Sequence, residues 1–223
     1  MNNSLFSTGK ILWCLLAMLV FIINPALAKS INFDGWTHQK FSVFSSNKYI
    51  TNMNQVLVES DKTVSMIWSA TEGKSGSTKK ASWTWEVTKT VPPTDLTIKG
   101  SDDRNLAMYF VFAEAKDAPT LQHKSLLSML DNKSIRVLMY VFGGAHKRGD
   151  FLLTPYLGNQ GKTIILRPSG LGRFQESVNL DQDFLTAFGA PITTLVGLAI
   201  SADSDDTKTK IRASVADLEL WNP

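Results

Sequence analysis

Apolar and polar positions alternate along most of the chain, and the alternation predicts a protein built mainly of short β-strands. The clearest run is Leu106 to Phe112, where nearly every side chain is apolar or aromatic. Such a segment fits a strand buried on both faces or lying at a sheet centre. The turn Gly100-Ser101-Asp102-Asp103 leads into it. From Ala81 to Val87 the alternation is strict, so Trp83, Trp85 and Val87 share one face and Ser82, Thr84 and Glu86 the other. Further strands are expected at Lys48 to Thr51, Gln55 to Ser60, Thr63 to Ala70, Ile135 to Phe142, Lys162 to Leu166, Ile192 to Ile200 and Ile211 to Trp221. The two-residue polar break Asp61-Lys62 predicts a hairpin, and an edge strand is expected after Gly35.

Two segments change period. Leu180, Phe184, Ala187 and Phe188 fall on one helical face, and Gly189 followed by Pro191 supplies a stop. Leu121, Leu126, Leu127, Met129 and Leu130 predict a second short helix within Thr120 to Leu130. Thr71 to Lys80 has no large apolar side chain and reads as an exposed loop. Together the elements predict one mainly β domain, an antiparallel jelly-roll-like β-sandwich with one or two short helices.

The N-terminus stands apart from this pattern. Lys10 precedes a run of 13 apolar residues, Ile11 to Ile23, that closes near Ala26-Leu27-Ala28. The run is short of the roughly 20 residues that span a bilayer and has the form of a secretory signal peptide. Residues 1–28 are therefore expected to be removed, leaving a single domain over 29–223 in the periplasm or outside the cell, with no membrane span. Loss of 28 residues and one lysine leaves 195 residues with net charge +2, too small an excess to argue for nucleic acid. The one cysteine, Cys14, is lost with the leader, which excludes thiol catalysis and disulfide stabilisation in the mature chain.

The sequence carries no G-x-S-x-G elbow, H-E-x-x-H pair or phosphate loop. His38, His123 and His146 stand far apart, and His146-Lys147-Arg148 reads as a solvated basic tip. The acidic turns are more suggestive. Asp102 and Asp103 open one buried strand, while Asp203, Asp205 and Asp206 close another. Should those strands be antiparallel neighbours, five carboxylates meet at one end, where calcium would relieve their repulsion. Solvated turns are the alternative. The Trp83 and Trp85 face is either core or a platform for sugar rings.

Trp83-Thr84-Trp85-Glu86-Val87, Lys99-Gly100-Ser101-Asp102-Asp103, Met108-Tyr109-Phe110-Val111-Phe112, Asp183-Phe184 through Gly189 and Asp203-Ser204-Asp205-Asp206-Thr207 resemble a bacterial secreted family, domain-of-unknown-function family 3047. The resemblance spans most of the mature chain. It implies an exported single domain similar to jelly-roll carbohydrate-binding modules. The chain departs from the family pattern at two places, at Phe142 after Tyr140, where members usually carry tryptophan, and at Leu171 to Glu176, where they carry an aromatic, charged stretch. The resulting expectation is a non-catalytic binding module for envelope or extracellular glycan, with Trp83, Trp85, Arg104, Tyr140 and Phe142 as candidate ligand contacts. Asp102, Asp103, Asp203, Asp205 and Asp206 are the candidate calcium ligands. The alternatives are a glycan hydrolase or lyase using paired carboxylates with Tyr109 or Arg104, and an accessory protein that binds an envelope protein.

Overall fold

The computed structural model describes residues 28–71, 78–121, 124, 128–129 and 131–222. The predicted leader up to residue 27, His123, most of the Thr71 to Lys80 loop and part of the Thr120 to Leu130 helix lie outside the described residues.

Two sheets face each other. The first has the order β11-β6-β13-β4-β3, formed by Gly172–Asn179, Lys80–Lys89, Lys210–Trp221, Gln55–Asp61 and Lys48–Thr51, with β1 (Ala28–Ser30) paired to the end of β13. The second has the order β2-β5-β12-β7-β8-β10-β9, formed by Thr37–Lys40, Val64–Ala70, Thr194–Asp203, Arg104–Ala113, Arg136–Phe142, Gly158–Arg167 and Phe151–Thr154. Among the described residues two helices accompany them, α1 (Ala118–Leu121) and α2 (Leu180–Phe188). The fold is thus a mainly antiparallel β-sandwich. The exception is β8 with β10, which run parallel because the β9–β10 hairpin folds back and inserts β10 between β8 and β9.

Trp83 and Trp85 from β6, Phe110 and Phe112 from β7, and Tyr140 and Phe142 from β8 meet between the sheets in one core. Alternation then sends Ala107, Tyr109 and Val111 to the outer face of the second sheet, where Leu96, Ala118, Leu121 and Met129 cover them. This double cover explains why all ten residues of β7 are buried. Helix α2 forms over the expected residues. The Asn179 side chain accepts the Gln182 N–H at its start, and Gly189 closes it at φ 66°, a left-handed geometry that suits glycine.

The expected hairpin at Asp61-Lys62 does not form. Strand β4 pairs with β3 and β13, whereas β5 pairs with β2 and β12 in the opposite sheet. The polar break is a corner between sheets: Lys62 takes φ 57° and donates its N–H to the Thr209 carbonyl.

Candidate functional site

Strands β7 and β12 are antiparallel neighbours, with Asp203 opposite Arg104. The two acidic turns therefore lie at the same end of the sandwich. Asp103 is fully buried, and its carboxylate accepts the backbone N–H groups of Asp206 and Thr207, at 3.2 and 2.7 Å, and the Thr207 hydroxyl. It thereby holds the β12–β13 turn against the start of β7. Asp102 faces the other way. Its carboxylate accepts from Arg104 Nη1 at 3.1 Å and from the Tyr156 hydroxyl at 3.0 Å. Burial, followed by the Asp102 charge, pushes the Tyr156 hydroxyl up to about 12.

Arg104 is buried, and the same Nη1 also donates to Asp203 Oδ2 at 3.3 Å, while Nη2 donates to the Tyr109 hydroxyl at 3.2 Å. Tyr109 in turn shares a hydrogen bond with Ser201. Burial alone would lower the Arg104 pKa, but Tyr109, Asp203 and Asp102 outweigh it and keep the guanidinium charged. Asp203 is shifted the opposite way to a paired acid. Burial raises it most, and Asp205 and Asp103 raise it further, against the pull of Arg104. Its second oxygen, Oδ1, is buried with no hydrogen-bond partner. Asp103, Asp205 and Asp206 each place a carboxylate oxygen within 4.8 Å of the others.

The candidate glycan contacts fare differently. Trp83, Trp85, Tyr140 and Phe142 are all at 1% exposure or less. They touch one another between the sheets, with ring centroids 5.5 to 5.7 Å apart for Trp83–Trp85, Trp83–Tyr140 and Trp85–Phe142. They are core, and no sugar can reach them. Arg104 is likewise committed to its buried carboxylates. The paired-acid alternative meets a geometric obstacle, because Asp102 and Asp203 share one guanidinium, which occupies the space between them that a scissile bond would need.

The same end carries a surface that sequence reasoning did not identify. Residues 41–46 cross from β2 in one sheet to β3 in the other, and Asn47 pins the far end of this crossing. The buried Asn47 amide donates to the carbonyls of Ala202 at 2.7 Å and Ser65 at 3.2 Å. The crossing projects Val43 and Phe44 into solvent, 92% and 99% exposed. Beside them lies an open depression of about 940 Å³. Its wall combines Lys40, Lys48 and Lys89 with Ser45, Ser46, Ser60, Thr63 and Thr88, and with the pairs Asp61–Lys210 and Glu59–Arg212. Lys40, Lys48 and Lys89 make no ion pair among the described residues. Ser60 hydrogen-bonds to Ser204 at 2.7 Å, which ties the depression to the acidic turn.

A second missed feature is Glu176, buried at 2% exposure on the inward face of β11. It accepts from Arg167 at 2.7 Å, Arg148 at 3.0 Å and the Trp85 indole at 3.2 Å. The His146-Lys147-Arg148 loop is therefore more than a solvated tip: Arg148 clamps Glu176, and His146 Nε2 accepts the Leu96 N–H. His38 Nε2 meets only the Ser65 hydroxyl among the described hydrogen-bonding groups, and burial followed by Lys40 lowers its pKa.

Fold and site together define a β-sandwich with a carboxylate-rich end beside an open polar depression. The chain belongs to the family described as a protein of unknown function, DUF3047, whose model matches residues 34–219. A comparison with curated proteins finds no match. Among solved structures the chain is similar to the xyloglucanase domain of NopAA, a type three effector from Sinorhizobium fredii in complex with cellobiose, at 10% identity and TM-score 0.44, over 88% of this chain and 95% of that one. A likeness at that level bears on neither activity nor ligand.

Proposed function

We propose that this protein is a non-catalytic binding module for an anionic glycan of the cell envelope or its surroundings, which it holds in the depression beside Phe44. The observation that carries this reading is the pairing of a fully exposed aromatic ring with three lysines outside any described ion pair, at the rim of one concave surface. A sugar ring offers an apolar face that an aromatic side chain can cover, and hydroxyls that need both donors and acceptors. The depression supplies serine and threonine hydroxyls and two carboxylates for the hydroxyls, and Lys40, Lys48 and Lys89 for uronate, phosphate or sulfate groups. A flat anionic lipid surface would use the lysines and Phe44 but has no need of the concave wall or its acceptors. In this reading residues 1–28 are removed on export and the chain works in the periplasm or outside the cell. Mass spectrometry of the exported protein would then find Lys29 at its N-terminus.

The test is a glycan array, run with and without calcium, followed by titration of the acidic oligosaccharides that bind. Phe44→Ala and the double change Lys48→Ala with Lys89→Ala should each weaken binding by about tenfold or more, which corresponds to about 1.4 kcal/mol. Binding to no glycan, or to phosphatidylglycerol vesicles in preference to every acidic glycan, would reject the reading. So would an equal affinity of the Phe44→Ala variant.

A further inference from the structure

We infer that the carboxylate-rich end is a divalent cation site of the calcium type, built by Asp103, Asp205 and Asp206 with Asp203 Oδ1 at its margin. Four acidic side chains in adjacent turns would not by themselves make a site, since exposed carboxylates are commonly just hydrated. The decisive feature is the unsatisfied buried oxygen. Asp203 is only 6% exposed, and its Oδ2 faces Arg104 while its Oδ1 has no donor. Asp205 and Asp103 lie close enough to that carboxylate to repel it. The Asp205 carboxylate lies within hydrogen-bonding reach of the Asp203 carboxylate, so two acid groups face each other there. A buried polar oxygen without a partner costs stability, more so for a charged group. A cation between Asp203, Asp205 and the Asp103–Asp206 pair would satisfy these oxygens together.

Nearby protein cations do not fill the role. Arg104 directs Nη1 at Asp102 and Asp203 Oδ2 and Nη2 at Tyr109, and its buried Nε–H finds no acceptor, so none of its donors satisfies Asp203 Oδ1. Lys99 lies over the Tyr156 ring, 5.5 Å from its centroid. Asp103, although it accepts three hydrogen bonds, uses Oδ1 for only one of them, from the Asp206 N–H. That oxygen keeps a lone pair for a metal.

The donor set also selects the ion. It consists of carboxylate oxygens from two turns, with no sulfur or imidazole in the group, which suits hard cations over zinc or copper. Several protein carboxylates at flexible spacing fit calcium, which takes six to eight oxygens, better than magnesium, which keeps most of its own water. Such an ion would cross-link the start of β7 to the β12–β13 turn, and so act on stability. The site shares no residue with the depression and does not depend on the glycan reading.

The experiment uses the exported protein stripped with a chelator and then titrated with calcium, magnesium or terbium. Calcium binding to the folded state should raise Tm by roughly 5 to 10 °C at a hundred times its Kd, and magnesium should do less. Terbium should luminesce on excitation of tyrosine, because Tyr156 touches the Asp102 carboxylate beside the cluster, and calcium should quench that signal by competition. Asp205→Asn and, separately, the exposed Asp206→Asn should cut the calcium shift to a fraction of the wild-type value, while Asp181→Asn on α2 should leave it intact. The inference is overturned if the stripped wild type shows neither a calcium-dependent Tm nor sensitised terbium emission. It is equally overturned if both cluster variants keep the full response.

Discussion

Trp85 has two roles at once. Its ring packs against Trp83 and Phe142 between the sheets, and its indole N–H donates to the buried Glu176 carboxylate at 3.2 Å. Trp85→Ala should therefore destabilise the fold by about 3 to 5 kcal/mol through the cavity it opens, read as a lower denaturant midpoint at unchanged m-value. Asp183 offers a cleaner electrostatic test. Its carboxylate accepts the Tyr140 hydroxyl at 2.7 Å, and burial raises its pKa although that hydrogen bond pulls the other way. A raised folded-state pKa means that the folded chain binds the proton more readily than the unfolded one. The resulting contribution is greatest at low pH and is lost as pH rises through the folded value. Wild type should thus gain stability relative to Asp183→Asn as pH falls from about 7 toward the unfolded aspartate value of about 4. Urea denaturation of the two proteins at each pH checks the sign, and a constant difference across that range would contradict it.

At the scale of elements, the signals that could be read along the chain were those carried by local geometry. Helix α2 declared itself through Leu180, Phe184 and Phe188 at helical spacing and Gly189 at its end, all consequences of contacts within four residues. Strand β7 did so because both of its faces are covered by apolar neighbours. Strand β11 gave no such signal, because Glu176 occupies a position where alternation demands an apolar residue. Only Arg148, Arg167 and Trp85, brought in from a loop, the end of β10 and β6, make a charge tolerable there. The Asp61-Lys62 break misled for a related reason: a two-residue polar gap is compatible with a hairpin and with a sheet-to-sheet corner, and the choice lies with β12 and β13 far down the chain. Between β7 and β8 the backbone itself sets a constraint. A Cβ on Gly143 would stand 2.7 Å from Arg104 Cβ and 2.9 Å from its Cα. Gly143→Ala should cost about 1 to 3 kcal/mol by forcing these segments apart, measurable by equilibrium denaturation.

For the whole molecule, the consequence of packing two sheets with crossing connections is a division of labour between the ends of strands and their middles. The middles hold the aromatic core, and the ends carry the acidic cluster and the 41–46 crossing. Because Val43 and Phe44 touch solvent and are held from Asn47, replacing both with serine should change stability by less than about 0.5 kcal/mol. The same change should remove whatever affinity the depression has. Thermal unfolding set beside a binding titration separates the two effects, and a large loss of Tm would show the crossing to be structural.

The chain alone determined the mainly β architecture, helix α2, the burial of β7 and the presence of two acidic turns, since each follows from periodicity or from residues adjacent in sequence. It also offered two roles for the tryptophan face. The tertiary structure decided between them, because whether a strand face is core or platform depends on what the opposite sheet places over it, and here Phe110, Tyr140 and Phe142 do so. Likewise, that Asp102 and Asp103 share an end with Asp203, Asp205 and Asp206 is a matter of which strands pair. That one guanidinium stands between Asp102 and Asp203 while Asp203 Oδ1 is left bare is a matter of how side chains a hundred residues apart are oriented. No local pattern encodes such pairing or orientation, because both are set by the free energy of the assembled core.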